Sequence, residues 1–181
     1  MVTPRIRATA RGVSGEPPAG QGGSDPGRGL LIPPAEEEPV SHAAPMLRTH
    51  PHPTRAESEA VVACIEACLD CVEACKASAD ACLAEDHVQE LVGCILPALD
   101  CADACGTTSR VLSRQTGKNI DVVRAQLTAV FLAARACAAE CEQHADEHEH
   151  ARVCAEACRR CEEACHRLLQ RLPMRRASHE R

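Results

Sequence analysis

Fourteen cysteines occur in this chain of 181 residues, most of them at steps of three and four. Cys64, Cys68, Cys71 and Cys75 are spaced C-x3-C-x2-C-x3-C, and the segment 154–165 repeats that spacing. Such steps place every sulfur on one stripe of an α-helix. Thiols therefore occupy the stripe that usually carries Leu, Ile and Val toward a core. Because thiolate sulfur binds soft metal ions, metal binding is the first chemistry that this pattern indicates.

The two cysteine segments are alike beyond their sulfurs. CIEACLDCVEAC (64–75) and CAEACRRCEEAC (154–165) match at eight of twelve positions, which are four Cys, two Glu and two Ala. The match indicates an internal repeat of a helical unit. Its glutamates, such as Glu66 and Glu156, lie off the cysteine stripe and are expected on the solvated face.

Many cysteines are also typical of secreted disulfide scaffolds, but the spacing argues against that class. Neighbours at i and i+4 on a helix have Cβ atoms about 5–6 Å apart, whereas a disulfide needs about 3.5–4.5 Å. Pairs within one helix therefore close poorly, and bridges between helices stay open as an alternative. The C-x3-C pairs are 64/68, 71/75, 101/105, 137/141, 154/158 and 161/165.

Composition limits the fold and the partners. Phe131 is the only aromatic residue, so Ala and Cys must fill a narrow interior, which favours a small helical bundle. The net charge is −6 and no long basic run occurs, which argues against nucleic-acid binding. No apolar stretch approaches the roughly 18 residues of a membrane span, so no membrane is expected. No Ser-His-Asp set, phosphate loop or catalytic carboxylate pair stands out, so the chain is not expected to be an enzyme.

Three regions follow from the composition along the chain. Residues 1–54 are rich in Gly, Pro, Arg and Ser without periodicity and are predicted to form a disordered arm. Leu30–Ile32 is too short to be the apolar core of a secretory signal. Residues 55–172 are predicted to form the folded domain, and 173–181 a disordered tail.

The folded region predicts an all-α, antiparallel, up-down-up-down four-helix bundle with a cysteine-lined core, because its helical segments are joined by short loops. Thr54 is the predicted N-cap of the first helix, with Glu57 at the capping-box position. Asn119 is the predicted N-cap of the third helix, and Pro97 should kink the second helix or shift its start. The four helices are predicted at 55–84, 88–115, 120–145 and 148–171.

All four helices place cysteines on the inward stripe. Antiparallel packing would bring Cys82 and Cys154 to one end and Cys64 to the deep end of a tube about 25–30 Å long, at a rise of about 1.5 Å per residue. Aliphatic residues, namely Leu112, Val123, Leu127, Leu168 and Leu172, are predicted to plug the opposite end. The fourteen candidate metal ligands are Cys64, Cys68, Cys71, Cys75, Cys82, Cys94, Cys101, Cys105, Cys137, Cys141, Cys154, Cys158, Cys161 and Cys165.

Histidines collect near the open end of the predicted tube. His144 continues the stripe of the third helix and His148 follows four residues later, so both are candidate metal ligands that would pass ions to the thiols. His87 and His150 are weaker candidates for metal ligands. His166 lies off the stripe, where a surface position is expected. The alternative is that HADEHEH is only a polar turn.

The spacing of the cysteines limits which metal is expected to bind. Soft thiolates select Cu(I), Zn(II) or iron–sulfur clusters. Ferredoxin clusters use C-x2-C-x2-C-x3-C-P on a looping backbone, and structural zinc needs closed sets of four ligands, which a continuous stripe does not obviously provide. Several Cu(I) ions bridged by neighbouring thiolates fit the stripe best. An iron–sulfur electron carrier and a zinc or general thiol sink stay as alternatives.

These C-x3-C pairs on four helices resemble the cysteine-rich four-helix-bundle copper storage proteins, across about 55–171. The resemblance implies that many Cu(I) ions bind inside the bundle, that the fourteen cysteines are ligands, and that bundles assemble as homotetramers. It also implies the cytosolic branch, because the arm carries no twin-arginine signal and Met46 and Met174 lie outside the bundle. The expected role is cytoplasmic copper storage, buffering or detoxification without enzymatic activity.

Overall fold

A computed structural model describes residues 41–51, 58–117 and 119–173. Within these residues the secondary structure is helical, without strands, which confirms the all-α prediction. A short 3₁₀ helix, Val88–Leu91, precedes the third α-helix. The α-helices are α1 (Ala43–Arg48), α2 (Ser58–Ala84), α3 (Val92–Ser113), α4 (Ile120–Glu142) and α5 (Glu149–Arg171).

Helices α2 to α5 form the predicted four-helix bundle. Each packs against the next along the chain, and α5 packs against α2, which closes the ring. Helices α2 and α5 run in opposite directions, since Cys64 contacts Cys165 whereas Cys75 contacts Cys154. Neighbouring helices are therefore antiparallel, and their inward stripes share one interior.

Helix α4 begins at the predicted cap. The Asn119 Oδ1 atom accepts hydrogen bonds from the backbone N–H groups of Asp121 and Val122, at 3.1 and 3.2 Å. These bonds satisfy donors that have no partner within the helix. The preceding turn uses Gly117 at a φ of 63°, a left-handed conformation that glycine adopts without a steric penalty. The predicted cap of the first helix, Thr54 with Glu57, lies outside the described residues.

Pro97 lies inside α3 without ending it. The α-helix begins at Val92 rather than at residue 88, and the preceding residues form the 3₁₀ turn instead. Proline has no N–H to donate to the carbonyl of Gly93, four residues earlier, so the first turn of α3 has one bond fewer. The predicted segment 88–115 is therefore helical in two parts and ends at Ser113.

Part of the predicted disordered arm is ordered. Helix α1 packs against α2, with Leu47 buried and the Ser41 hydroxyl donating to a Glu66 carboxylate oxygen at 2.8 Å. The sequence signal for α1 is weak because six residues cannot hold a helix without a tertiary contact. Residues 1–40 and 52–54 of the arm, and 174–181 of the tail, lie outside the described residues.

The outer faces of the helices differ in character. Helix α5 is tied to its neighbours by ion pairs of Arg159 with Glu142 and of Arg160 with Asp70, both at 2.7 Å. Helices α3 and α4 instead expose large apolar side chains to the outside, among them Leu96 at 60% and Leu132 at 58% exposure. The bundle is therefore charged along α5 and apolar along parts of α3 and α4.

Two helical spans of the described chain, Val88–Ser113 and Ile120–Glu142, are long and apolar enough to meet the criterion for a membrane-crossing helix. The prediction that no apolar stretch reaches this length is wrong for these two spans, because each contains a long window with few charged residues. Alternating Ala, Leu, Val and Cys with few charges reaches the same mean hydropathy. Core helices of globular proteins meet this criterion too, and the inward stripes of both spans are buried in the bundle.

Candidate metal centre

All fourteen cysteines point into the bundle interior. Each is at most 1% exposed, and within the described part of the chain every one is a free thiol. The alternation of three- and four-residue steps explains this burial, because it keeps one face of each helix turned toward the bundle axis. The structure thus brings together the whole predicted set of thiol ligands.

At the deep end the thiols meet across α2, α3 and α5. The Sγ atoms of Cys64 and Cys165 are 3.6 Å apart. Cys161 lies 3.8 Å from Cys68 and 3.6 Å from Cys105. Three helices therefore contribute sulfur to one layer of the interior.

The middle of the tube is the densest part. The Cys158 Sγ atom lies 3.5 Å from that of Cys75, 3.7 Å from Cys71 and 4.0 Å from Cys101. Cys71 lies 3.6 Å from Cys101, which in turn contacts Cys105 at 3.9 Å. The last contact joins this layer to the deep one.

Toward the mouth, which is the open end of the tube near Cys82, helix α4 also contributes thiols to the network. Cys154 lies 3.8 Å from both Cys75 and Cys137. Cys137 contacts Cys141 at 3.9 Å, and Cys141 contacts Cys94 at 3.6 Å. These contacts join eleven thiols, and Cys64 and Cys165 extend the network to thirteen because both lie within 4.8 Å of Cys68. The remaining thiol, Cys82, contacts a histidine at the mouth.

The thiols also form sets that share members. Contrary to expectation, facing helices create two sets of four, because a stripe of one helix meets stripes of two others. Both sets contain Cys75 and Cys158, so they cannot be two independent closed sites. The sets whose sulfurs lie within 4.8 Å of one another are Cys71/Cys75/Cys101/Cys158, Cys75/Cys137/Cys154/Cys158, Cys64/Cys68/Cys165 and Cys68/Cys105/Cys161.

The sulfur–sulfur distances suit a shared metal ion. With metal–sulfur bonds of about 2.3 Å, as in zinc thiolates, two sulfurs on one ion at tetrahedral or trigonal angles lie about 3.8–4.0 Å apart. The observed contacts between facing or successive thiols run from 3.5 to 4.0 Å. Metal ions could therefore enter between sulfurs with small side-chain movements.

Burial and mutual hydrogen bonding control the protons of these thiols. Burial raises the pKa of Cys94 to about 11, and it also raises the pKa of Cys82. Deeper in the tube, hydrogen bonds from Cys165 and Cys68 lower the pKa of Cys64, whereas contacts with Cys105 and then Cys161 raise the pKa of Cys68. Neighbouring thiols thus cannot all ionise, and metal ions must displace protons to bind.

The end opposite the mouth is closed by aliphatic side chains. Leu127 and Leu168 are fully buried, and buried Thr108 follows the last cysteine on the stripe of α3. The Thr108 hydroxyl donates to the Gln126 side-chain oxygen at 3.2 Å, so this buried polar group is satisfied. The buried residues of the plug are those predicted: Leu112, Val123, Leu127, Leu168 and Leu172.

At the mouth a second cluster of donors, here named the outer cluster, lies beside the thiols and consists of Glu85, His148 and His150. A Glu85 carboxylate oxygen is 3.1 Å from His148 Nδ1 and 3.3 Å from His150 Nε2. The other nitrogen of His150, Nδ1, lies 3.4 Å from the Ser78 hydroxyl and 3.8 Å from the Cys82 sulfur. His150 therefore connects the outer cluster to the first thiol.

The sequence-predicted histidines separate in the structure. His148 belongs to the outer cluster, whereas His144 is half-buried one turn earlier and is not among its members. His144 accepts the His148 backbone N–H at 2.9 Å through its carbonyl oxygen. His87 is exposed, and His166 is an exposed residue beside Phe131, as expected from its position off the stripe.

Sequence reasoning missed Glu85 and gave His150 too little weight. Both continue the inward stripes, since Glu85 follows Cys82 by three residues and His150 precedes Cys154 by four. Extending each cysteine stripe past its last sulfur would have found them. The pattern is hard to see because His144, His148 and His150 lie close together in sequence around the turn between α4 and α5.

Comparisons with known proteins agree with this geometry. The family model described as copper storage protein matches residues 57–170. A search of curated proteins finds no match. Among solved structures, the copper storage protein Ccsp from Streptomyces lividans, loaded with 10 copper equivalents, is 50% identical with a TM-score of 0.69, over 71% of this chain and 98% of Ccsp.

Two further structures are similar. A cytosolic copper storage protein from Streptomyces lividans with five coppers is 54% identical with a TM-score of 0.63, over 64% of this chain and 96% of that protein. The Cu(I)-bound copper storage protein BsCsp3 is 34% identical with a TM-score of 0.53, over 59% and 95% of the two chains. The matched family region covers the thiol-lined bundle and more than half of the sequence, so the chain belongs to the copper storage protein family.

Proposed function

We propose that this protein stores many Cu(I) ions on the thiols inside its four-helix bundle. The observation that carries the proposal is the continuous sulfur network, in which adjacent contacts of 3.5–4.0 Å share members. A shared sulfur can bridge two ions, so ions can follow one another along the tube. The multiple coppers in the similar Streptomyces lividans structures support the same reading.

Cu(I) fits the network better than the alternatives. Zinc sites are closed tetrahedral sets, and the two sets of four thiols compete for Cys75 and Cys158. An iron–sulfur cluster needs cysteines on a looping backbone, whereas these thiols all project from helices. Cu(I), as a soft ion, takes thiolates readily and can share them.

The proposed ligands are the complete set of buried thiols. Each would lose its proton on binding, so the affinity for Cu(I) should fall as the pH falls. Neighbouring sets overlap, so one thiol can serve more than one ion. The ligands are Cys64, Cys68, Cys71, Cys75, Cys82, Cys94, Cys101, Cys105, Cys137, Cys141, Cys154, Cys158, Cys161 and Cys165.

Uptake is proposed to occur at the mouth, through His144 and His148. The contact of His148 with Glu85, and of Glu85 with His150, supports a path that reaches Cys82. The aliphatic plug at the other end supports a single route in and out. His144, which is half-buried one turn before His148 in the chain, is proposed as a further ligand on this path.

We further propose that the protein is cytoplasmic, is not an enzyme and assembles as a homotetramer. The cytosolic description of the similar Streptomyces lividans protein with five coppers supports the location. The exposed Leu96 and Leu132 on α3 and α4 support self-association, because covering apolar surface is favourable. Light scattering after size exclusion tests this: a Leu96→Glu/Leu132→Glu double variant should dissociate, and an unchanged mass would reject these faces as the interface.

A titration tests the storage function. Reduced protein is titrated with Cu(I) in competition with a chromophoric chelator, and we expect uptake of many ions per chain. Saturation at one or two ions would contradict storage. A brown protein with iron absorbance would favour the electron carrier, whereas Cu(I) thiolate protein is nearly colourless.

A further inference from the structure

One set of four thiols in the middle of the tube has the shape of a closed metal site. This set, here named the central set, consists of Cys71, Cys75, Cys101 and Cys158. The Cys158 sulfur lies 3.5 Å from that of Cys75 and 3.7 Å from that of Cys71, and Cys71 lies 3.7 Å from Cys75. The Cys101 sulfur lies 3.6 Å from that of Cys71 and 4.0 Å from that of Cys158. The last pair, Cys75 and Cys101, lies within 4.8 Å.

These distances fit a tetrahedral ion at the centre of the set. Four sulfurs bound to zinc at about 2.3 Å lie about 3.8 Å from one another when the angles are tetrahedral. Contacts of 3.5–4.0 Å join the sulfurs of the central set before any ion enters. A tetrahedral set of four sulfurs is the arrangement that selects zinc among the divalent ions of proteins.

Overlap between sets limits how many such ions the tube can hold. The second set of four, which adds Cys137 and Cys154, shares Cys75 and Cys158 with the central set. A tetrahedral ion uses all four of its sulfurs, so only one of the two sets can be filled at a time. Each set of three at the deep end offers one sulfur fewer than a closed site needs. The described thiols therefore provide one closed site for a divalent ion per chain.

Neighbouring thiols can stabilise the charge of this site. Four thiolates around one Zn(II) carry a net charge of −2, which is costly in a buried position unless hydrogen-bond donors surround the sulfurs. The Cys154 thiol donates to Cys75 at 3.8 Å, and Cys105 lies 3.9 Å from Cys101. Protonated thiols beyond the central set can thus act as the outer partners that metal ligands require.

We propose that the central set holds one Zn(II) ion while the tube is free of copper. The ion would join α2, α3 and α5 at one level and favour the folded state of an empty store. Arriving Cu(I) would take the same sulfurs, and two Cu(I) ions would balance the charge of each Zn(II) that leaves. Only this exchange rests on the proposed Cu(I) store, because zinc binding itself needs no copper.

The experiment uses the full-length, reduced, copper-free protein under anaerobic conditions. Zn(II) is added in competition with a chromophoric zinc chelator, and we expect one tightly bound ion per chain. Co(II) is the second probe, because tetrahedral thiolate coordination gives it a strong visible absorption. Addition of Cu(I) to the zinc-loaded protein should then release that one Zn(II) to the chelator.

Variants test which sulfurs hold the ion. Losing even an outer partner weakens metal sites about 10–100-fold, so Cys101→Ser should weaken Zn(II) binding by about tenfold or more and reduce the Co(II) absorption. Cys71→Ser should do the same from another helix. Cys137→Ser is the matched control, because it removes a buried thiol of the second set only and should change Zn(II) affinity by less than Cys101→Ser does.

Other results would overturn the site. Absence of Zn(II) binding, several equally tight ions, or equal losses in Cys101→Ser and Cys137→Ser would reject it. Zn(II) that stays bound at full copper loading would contradict the exchange. The Cu(I) capacity of the parent protein separates these outcomes from failure of the store. Many Cu(I) ions without Zn(II) binding would reject only the zinc site, whereas one Zn(II) ion with one or two Cu(I) ions would reject storage.

Discussion

Cys158 is one of the most connected thiols, a position that it shares with Cys75. Its sulfur lies within 4.0 Å of Cys71, Cys75 and Cys101, and it belongs to both sets of four. Cys82 has the opposite character, because it contacts His150 at 3.8 Å and belongs to none of the thiol sets. The two residues are equally buried, so they differ mainly in how many metal positions each could serve.

Serine substitutions turn this difference into a prediction. Cys158→Ser should lower both the number of Cu(I) ions bound and the affinity of the remaining ones, because it removes a shared ligand. Cys82→Ser is the matched control and should lose at most about one ion. Competition titration with a chromophoric Cu(I) chelator measures both. Equal losses in the two variants would contradict the shared-ligand network.

The mouth histidines should control rate more than capacity. His144→Ala/His148→Ala should slow transfer of Cu(I) into the thiols, because it removes two imidazole ligands from the proposed uptake path. The thirteen sulfurs of the network beyond the mouth stay in place. The final number of bound ions should change by about one at most. Stopped-flow measurement of Cu(I) transfer from a chelator checks this, with His87→Ala as the control. Transfer as fast in the double variant as in the parent protein would remove these histidines from the path.

At the scale of the helix, the start of α4 is stabilised by its cap. Asn119 accepts two backbone hydrogen bonds at the start of α4. Asn119→Ala should lower the free energy of unfolding by about 1 kcal/mol, within the usual range of about 0.5–2 kcal/mol for such caps. Urea unfolding of the copper-free protein measures it. Asn119→Asp keeps a capping oxygen, and a loss as large as that of the alanine variant would show that the cap is not the cause.

The elements were predictable where a stripe was long and periodic. The cysteine steps of α2 and α5 alone predict helices, burial and antiparallel pairing, because one repeating spacing fixes one face. Features that depend on tertiary contact were not predictable in this way. Helix α1 needs Leu47 docked against α2, and the sets of four sulfurs arise only when facing helices are brought to the same height.

The candidate site was predicted in the same uneven manner. All fourteen thiols followed from spacing, whereas the partners of His150 did not. Glu85 comes from the end of α2 and His150 from the start of α5, so their contact depends on how the bundle closes rather than on neighbours in sequence. Short turns carry little periodic signal, and donors at helix ends are therefore the hardest to assign from sequence.

In the molecule as a whole, thiols that bind protons or metal ions replace much of the apolar packing of the core. Burial raises the pKa of Cys94 from 9.0 to about 11, so the folded state binds this proton more tightly than the unfolded chain. Its contribution to stability is complete below pH 9 and is lost as the pH rises toward 11. The copper-free bundle should therefore lose stability over that range.

Copper should reverse this weakness. Cu(I) binds the folded state and replaces the protons, so the loaded protein should melt at a higher temperature. We expect the melting temperature of the copper-free protein to fall between pH 9 and 11, and to fall less in Cys94→Ser, which has no thiol to titrate there. The Cu(I)-loaded protein should lack the part of the fall that depends on Cys94. Calorimetry at several pH values measures all three, and identical slopes for the copper-free parent and Cys94→Ser would contradict the role of that thiol.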